Sequence, residues 1–250
     1  MTLREYYGFP KGTKCIRKYY NLIDDGADYP IDDMSYMFSN EERQYLPNLI
    51  GLQPTTMKSM CDSCKNLTST HGLQYLDTSK CTSMENTFYY NSNIINFSYI
   101  NNWNISNVTS MYYMFASCSK MTDFDVNWDT SKVSTMERMF YSCSALKSIC
   151  RLDCSSVEQN KYPLWNTTSV INIGGFINMK SSWSENYGLA KCQNLTYESC
   201  INILNGLYDF TGNGETPSSS QGKLKVHANF LTAVGDEISI GTSKGWTITT

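Results

Sequence analysis

The sequence predicts an α/β solenoid, a unit of about 25 residues repeated and stacked into a parallel sheet. Three observations carry that prediction. Apolar residues recur at fixed offsets over many columns at once, the intervals between copies are nearly constant, and no copy is long enough to bury an apolar face alone. Each copy is expected to supply a short strand and a short helix or tight helical turn.

The copies align on Met34, Met57, Met84, Met111 and Met136, at intervals of 23, 27, 27 and 25 residues. A sixth, weaker copy is read at Ile173, 37 residues after the fifth. Three positions after the anchors stand Met37, Met60, Thr87, Met114, Met139 and Phe176, followed in the first five copies by Phe38, Cys61, Phe88, Phe115 and Phe140. Ahead of the anchors, one column holds Ile31, Pro54, Cys81, Val108, Val133 and Val170, and another Leu49, Leu76, Trp103, Trp128 and Trp165. Leu67, Ile94, Met121 and Leu146 form a later column, and Cys64, Asn91, Cys118 and Cys143 a column of small side chains.

Apolar residues at Val108, Met111, Met114 and Phe115 mark one face of a short helix or helical turn. The Ser, Thr and Asn residues of WNISNVTS and WDTSKVST, just ahead of it, supply turn and N-cap oxygens. The alternation in MTDFDV (121–126) is strand-like and points Met121, Phe124 and Val126 inward, although so short a strand needs neighbours. Flexible methionine suits a core built from imperfect copies. Met111, Met114, Phe115 and Cys118, with Met136, Met139, Phe140 and Cys143, are therefore the expected repeat core.

WDTSKVSTMERMFYSCSALKSI and WNISNVTSMYYMFASCSKMTDF resemble the BspA-like surface-protein repeats, a divergent branch of the leucine-rich repeats. The likeness runs over residues 31–180 and is loosest at 54–69 and 170–180, where an inserted loop at 155–165 is expected ahead of the last copy. It implies a leucine-rich-repeat-like fold and a role in adhesion. Residues 1–30 lack the pattern and are read as an N-terminal cap, and 181–250 as degenerate repeats and a C-terminal cap.

In that last stretch, NLTYESCINILNGLYDF (194–210) reads as a helix. Thr196 is its N-cap, Glu198 lies in its first turn, and Cys200, Ile203, Leu204 and Leu207 form its apolar stripe. A polar loop at 211–222 precedes a strand over KLKVHANFL, a short helix near 232–242 and a closing GWTIT. This tail resembles the last repeats of BspA-like proteins of gut bacteria and their phages, which implies a natural C-terminus.

Composition excludes several functions. The net charge is −3 and Lys and Arg never cluster, so nucleic acid and anionic membranes are not expected partners. No run is apolar enough to span a bilayer, and no apolar segment of a secretory signal follows the N-terminus. With ten cysteines in 250 residues and no such signal, reduced thiols are expected. Cys61-Asp-Ser-Cys64 lacks a second pair for zinc, Cys150 and Cys154 being a poor one, and lies on packing columns; core thiols are the better reading, a metal or redox pair the other. His71 and His227 stand in no nucleophile motif. Asp24, Asp25, Asp28, Asp32 and Asp33 lack EF-hand spacing and read as a solvated cap. Six N-x-S/T sites (Asn66, Asn96, Asn104, Asn107, Asn166 and Asn194) read as turn residues.

The suggestive excess is tyrosine, with eighteen copies. Tyr112 and Tyr113 lie between inward-facing methionines and are expected to point outward, while Tyr89, Tyr90 and Tyr141 follow the phenylalanine column. Exposed aromatics amid Ser and Asn hold sugars or peptides, or else simply cover the outer side of the coil. Asp123 and Asp125 mark a second surface. No cofactor and no metal are expected.

The function expected is a non-enzymatic recognition or adhesion module for a cell-surface protein or glycan. It would be carried on a virion, which needs no export signal, or on a cell surface, and weak single sites would favour a homo-oligomer. The alternative is a structural or assembly protein contacting other virion proteins. A glycan hydrolase would need two carboxylates across a cleft, and the sequence singles out no such pair.

Overall fold

The computed structural model describes residues 33–47, 49, 52–158, 163–183 and 188–250. Of the proposed N-terminal cap and the acidic cluster, only Asp33 falls among them, and Ile31 also lies outside.

One ladder organises the first part of the chain. Asp33, Thr56, Ser83, Ser110 and Thr135 each form a parallel bridge to the next, one residue before each anchor methionine. Beyond the anchors, Met111, Tyr113, Phe115 and Ser117 donate their N–H groups to Thr135, Glu137, Met139 and Tyr141 of the following copy, at 2.9, 3.1, 3.0 and 2.6 Å. Residues between these donate inside their own copy: Met114 to Met111, Ala116 to Tyr113 and Cys118 to Phe115. The same alternation holds in the copies anchored at Met34, Met57 and Met84.

Of the two forms expected, a short helix or a tight helical turn, the segment is a run of turns and not an α-helix. An α-helix would turn every N–H toward the residue four back along its own chain, whereas here every second one leaves for the neighbouring copy. The chain manages this by entering the left-handed region twice per copy. Tyr36, Ser59, Asn86, Tyr113 and Arg138 have φ of 53–59°, and Asn40, Ser63, Tyr90, Ser117 and Ser142 have φ of 56–62°. Each costs strain in a non-glycine residue, offset by paired backbone groups on both sides. Among the described residues no α-helix precedes Tyr197.

After the turns come two-residue strands. β1 (Asp123–Phe124), β2 (Ser148–Ile149) and β4 (Asn172–Ile173) pair in parallel, as do β3 (Leu152–Asp153) and β5 (Phe176–Ile177). Their register corrects the sixth copy. Ile149 pairs with Ile173 and Leu152 with Phe176, an offset of 24 residues, so the sixth copy follows the fifth at 24 and not 37 residues. Phe140 and Ser142 accordingly donate to the carbonyls of Pro163 and Trp165. Ile173 is thus a strand residue equivalent to Phe124 and Ile149, and Trp165 is the counterpart of Tyr141 rather than of Trp128. Val170 likewise leaves the Val108 and Val133 column. The expected inserted loop disappears where it is described. Asp153 accepts from Ser155 N–H at 2.8 Å, as Asp77, Asn104 and Asp129 accept from Ser79, Ser106 and Ser131 at 3.0 Å, one Asx-turn per copy.

The core is the set of inward columns. Met111, Met114, Phe115, Cys118, Met136, Met139, Phe140 and Cys143 are all at most 1% exposed. Phe88, Phe115 and Phe140 stack at 5.7 and 6.0 Å, and Trp103 stacks on Trp128 at 6.3 Å. The cysteine column has a polar task as well. The thiols of Cys64, Cys118 and Cys143 donate to the carbonyls of Phe38, Phe88 and Phe115 in the preceding copy, at 2.8, 3.2 and 3.1 Å. Asn91 does the same with its amide toward Cys61, and Thr167 with its hydroxyl toward Phe140. A small donor is what the column requires, because each of those carbonyls is buried.

The last region is built differently. α1 (Tyr197–Gly206) packs on β4 and β5, with the Thr196 hydroxyl accepting from Ser199 N–H at its N-cap. Its C-terminal carbonyls are met by Lys244, whose Nζ donates to Leu204, Asn205 and Leu207 at 3.2, 2.8 and 3.1 Å. The expected strand stops early: β6 (Lys223–Lys225) pairs in parallel with β7 (Thr247–Thr249), and α2 (Ala228–Val234) begins where continued strand was expected. His227 ends the strand by capping α2, its Nδ1 accepting from Asn229 N–H at 3.1 Å. A 3-10 turn (Gly235–Ile238) and α3 (Ser239–Thr242) lead to Trp246, whose ring N–H donates to Tyr208.

Candidate functional site

The turn segments carry an aromatic ladder. Tyr89 and Tyr141 lie five residues beyond their anchors, and Trp165 is their equivalent in the sixth copy. The copy between Tyr89 and Tyr141 has Ala116 at that position, and Tyr113 fills the gap from the preceding turn. Ring centroids therefore follow one another at 6.0 Å from Tyr89 to Tyr113, 6.0 Å from Tyr113 to Tyr141 and 6.1 Å from Tyr141 to Trp165. Tyr90 leans on Tyr89 at 6.1 Å and Tyr112 meets Tyr113 edge-on at 4.5 Å.

Left-handed backbone aims two of these side chains. Tyr90 and Tyr113 occupy the two positive-φ columns, where the chain reverses and side chains leave the core. The ladder rings are half-buried and Tyr90 is 41% exposed, so their faces are only partly given over to packing.

Cations flank the rings. The Arg138 guanidinium lies 5.4 Å from the Tyr113 centroid and 5.8 Å from that of Trp165, and its NH1 donates to the Tyr113 hydroxyl. Lys65 sits over Tyr90 at 5.2 Å. Partial burial pushes the Tyr89 and Tyr112 phenols above their ordinary range, so both are neutral hydrogen-bonding groups at physiological pH.

Five of the singled-out residues, Tyr89, Tyr90, Tyr112, Tyr113 and Tyr141, thus belong to one continuous strip. Asp123 and Asp125 do not join it. Both are exposed on and beside β1, and line a shallow cleft of about 220 Å³ with Asn96, Ser98 and Asn101. Arg138, Lys65 and Trp165 escaped sequence reasoning. For Trp165 the available signal was LDCSSV (152–157), a faint copy of WDTSKV that sets the sixth copy's register.

The remaining chemistry-bearing residues are accounted for by structure. Burial pushes the Cys64 and Cys118 thiols up to about 12, and those of Cys61 and Cys143 well above their ordinary range, so they remain protonated. Among the described residues no cluster of His, Cys, Asp and Glu is arranged to hold a metal ion. His71 is exposed and meets Tyr99 edge-on at 5.1 Å. Of the Asn sites, Asn66 and Asn107 donate to carbonyls of the preceding copy, and Asn96 and Asn104 accept backbone N–H groups in turns.

Residues 55–176, a span that contains every rung of this ladder, match the family described as Mycoplasma protein of unknown function, DUF285. No curated protein and no solved structure matches the chain. Among the described residues no helix is long and apolar enough to cross a membrane.

Proposed function

We propose that this chain is a non-enzymatic recognition module, a BspA-like, leucine-rich-repeat-like solenoid that presents the turn-face aromatics to a cell-surface ligand. The observation that carries the reading is the ladder Tyr89–Tyr113–Tyr141–Trp165. Four half-buried rings from four successive copies form an amphipathic strip along the turn face. Rigid aromatics on a stiff backbone lose little entropy on binding. A virion or cell-surface setting fits such a module, because many weak sites displayed together bind by avidity.

The test is capture of intact gut bacterial cells by beads carrying many copies of the chain. Saturable capture that Tyr112→Ala/Tyr113→Ala abolishes, with an unchanged circular dichroism spectrum, supports the reading and places the ligand on the turn face. Absence of capture from a broad panel of cells overturns it in favour of a structural or assembly role.

A further inference from the structure

We propose, independently of what the turn face binds, that Asn213 is a self-modifying site whose side-chain amide is lost through a succinimide to give aspartate or isoaspartate. The chain contains two Asn-Gly pairs, Asn205–Gly206 and Asn213–Gly214. In such a pair the glycine has no Cβ to shield its backbone nitrogen, so that nitrogen can attack the asparagine Cγ one residue back. A C–N bond forms and closes a ring, the Cγ–Nδ2 bond breaks, and the amide leaves as ammonia with the proton of the attacking nitrogen. Water then opens the ring at either carbonyl. Asparagine plus water gives aspartate or isoaspartate plus ammonia, with no other reactant.

The fold separates the two pairs. Closing the ring requires the peptide group between the two residues to turn, and at Asn205–Gly206 that group is pinned. The pair ends α1, the Asn205 carbonyl accepts from Lys244 Nζ at 2.8 Å, and the Gly206 carbonyl accepts from Met179 N–H at 3.2 Å. Gly206 is buried so closely that a Cβ there would lie 2.5 Å from the Phe176 carbonyl oxygen. Asn205 itself is exposed, yet its pair reacts only when the end of α1 opens.

At Asn213–Gly214 the restraints are local. Residues 211–216 are all exposed, and nothing lies within 4 Å of where a Gly214 Cβ would stand. The Gly214 N–H donates to the Thr211 carbonyl at 3.0 Å, and Asn213 Nδ2 donates to the Asp209 carbonyl at 2.6 Å. Both bonds close short turns inside the loop. Opening the loop alone breaks them, which costs far less than opening a packed helix. The change is lasting. It removes the amide donor to Asp209, sets a carboxylate beside that carbonyl, and takes the formal net charge from −3 to one unit more negative.

The experiment incubates the folded chain in mildly alkaline buffer, follows the more acidic form by anion exchange, and locates it by peptide mass and isoaspartyl methyltransferase labelling. A parallel sample in guanidinium chloride gives the rates of the two pairs without the fold. Comparable rates at both pairs are expected in the unfolded chain. In the folded chain, modification at Asn213 is expected to be at least about tenfold faster than at Asn205. Asn213→Gln is expected to abolish the early acidic form, and Lys244→Met to quicken reaction at Asn205 while leaving Asn213 unchanged. Equal rates at the two pairs in the folded chain, or faster reaction at Asn205, overturn the assignment. So does a folded chain that stays unmodified at Asn213 over a period that converts it in guanidinium chloride.

Discussion

The turn segment at 108–143 and α1 with its Lys244 contact meet the same demand, partners for buried backbone, in opposite ways. In the first, N–H groups find acceptors in a copy some 25 residues away, as Phe115 does at Met139. In the second, α1 satisfies its interior locally and a single side chain, Lys244, closes its end through three carbonyls. The lesson concerns where stability resides. A turn-ladder copy has almost no structure of its own, so its neighbours hold it, whereas the α1 region depends on local bonds and one latch.

The largest test of this contrast is alkaline pH. The thiols of Cys64, Cys118, Cys154 and Cys192 are held up to about 12 by burial, against 9.0 when free. A raised folded value means stability that is complete below the unfolded value and is lost as pH climbs toward the folded one. At pH 10 each forfeits about 1 kcal/mol, so urea unfolding at pH 7 and pH 10 is expected to differ by several kcal/mol. In α1 one thiol is raised, that of Cys200, to about 11, and the Tyr197 phenol is raised by its hydrogen bond to Glu237. Hydrogen exchange is therefore expected to loosen the turn ladder, with its larger set of raised thiols, before α1. Equal loosening of both would break the comparison.

Phe115→Ala is expected to cost about 3–5 kcal/mol, since Phe88, Phe97, Phe124 and Phe140 all meet that ring. Exchange is expected to quicken in the copies on both sides, at 84–90 and 136–142, while α1 keeps its protection. Loss confined to residues 111–118 would show that the copies do not hold one another.

Lys244→Met is expected to cost about 1–3 kcal/mol by leaving three carbonyls unmet, two of them part-buried. The faster amides are expected near the C-terminal end of α1 and none in the turn ladder. Smallest is a gain. Between Cys64 and Thr167, Asn91 alone departs from thiol or hydroxyl in its column, and its Oδ1 is buried without a hydrogen-bond partner. Asn91→Cys is expected to stabilise by about 1 kcal/mol, read as a higher denaturation midpoint.

Side-chain chemistry made some features legible and left others hidden. Met and Phe at constant offsets expose the buried columns, because apolar burial is decided residue by residue. Thr196 and the stripe of α1 were readable for the same reason, as local signals. Trp165 was not. A tryptophan suits both the Trp103–Trp128 column and the turn face, and only the pairing of Ile149 with Ile173 tells them apart. The switch from strand to helix at His227 also escaped, since KLKVHANFL alternates well enough to continue as strand.

What the sequence determined by itself is therefore the unit: its length, its buried columns and its Asx-turns, each set by side chains within a few residues of one another. What only the tertiary structure decided is how units meet. The left-handed residues, the 24-residue step to the sixth copy and the single aromatic strip from Tyr89 to Trp165 all follow from backbone hydrogen bonds between copies. Those bonds join N–H and C=O groups that nearly every residue carries alike, so residue identity alone leaves their register open.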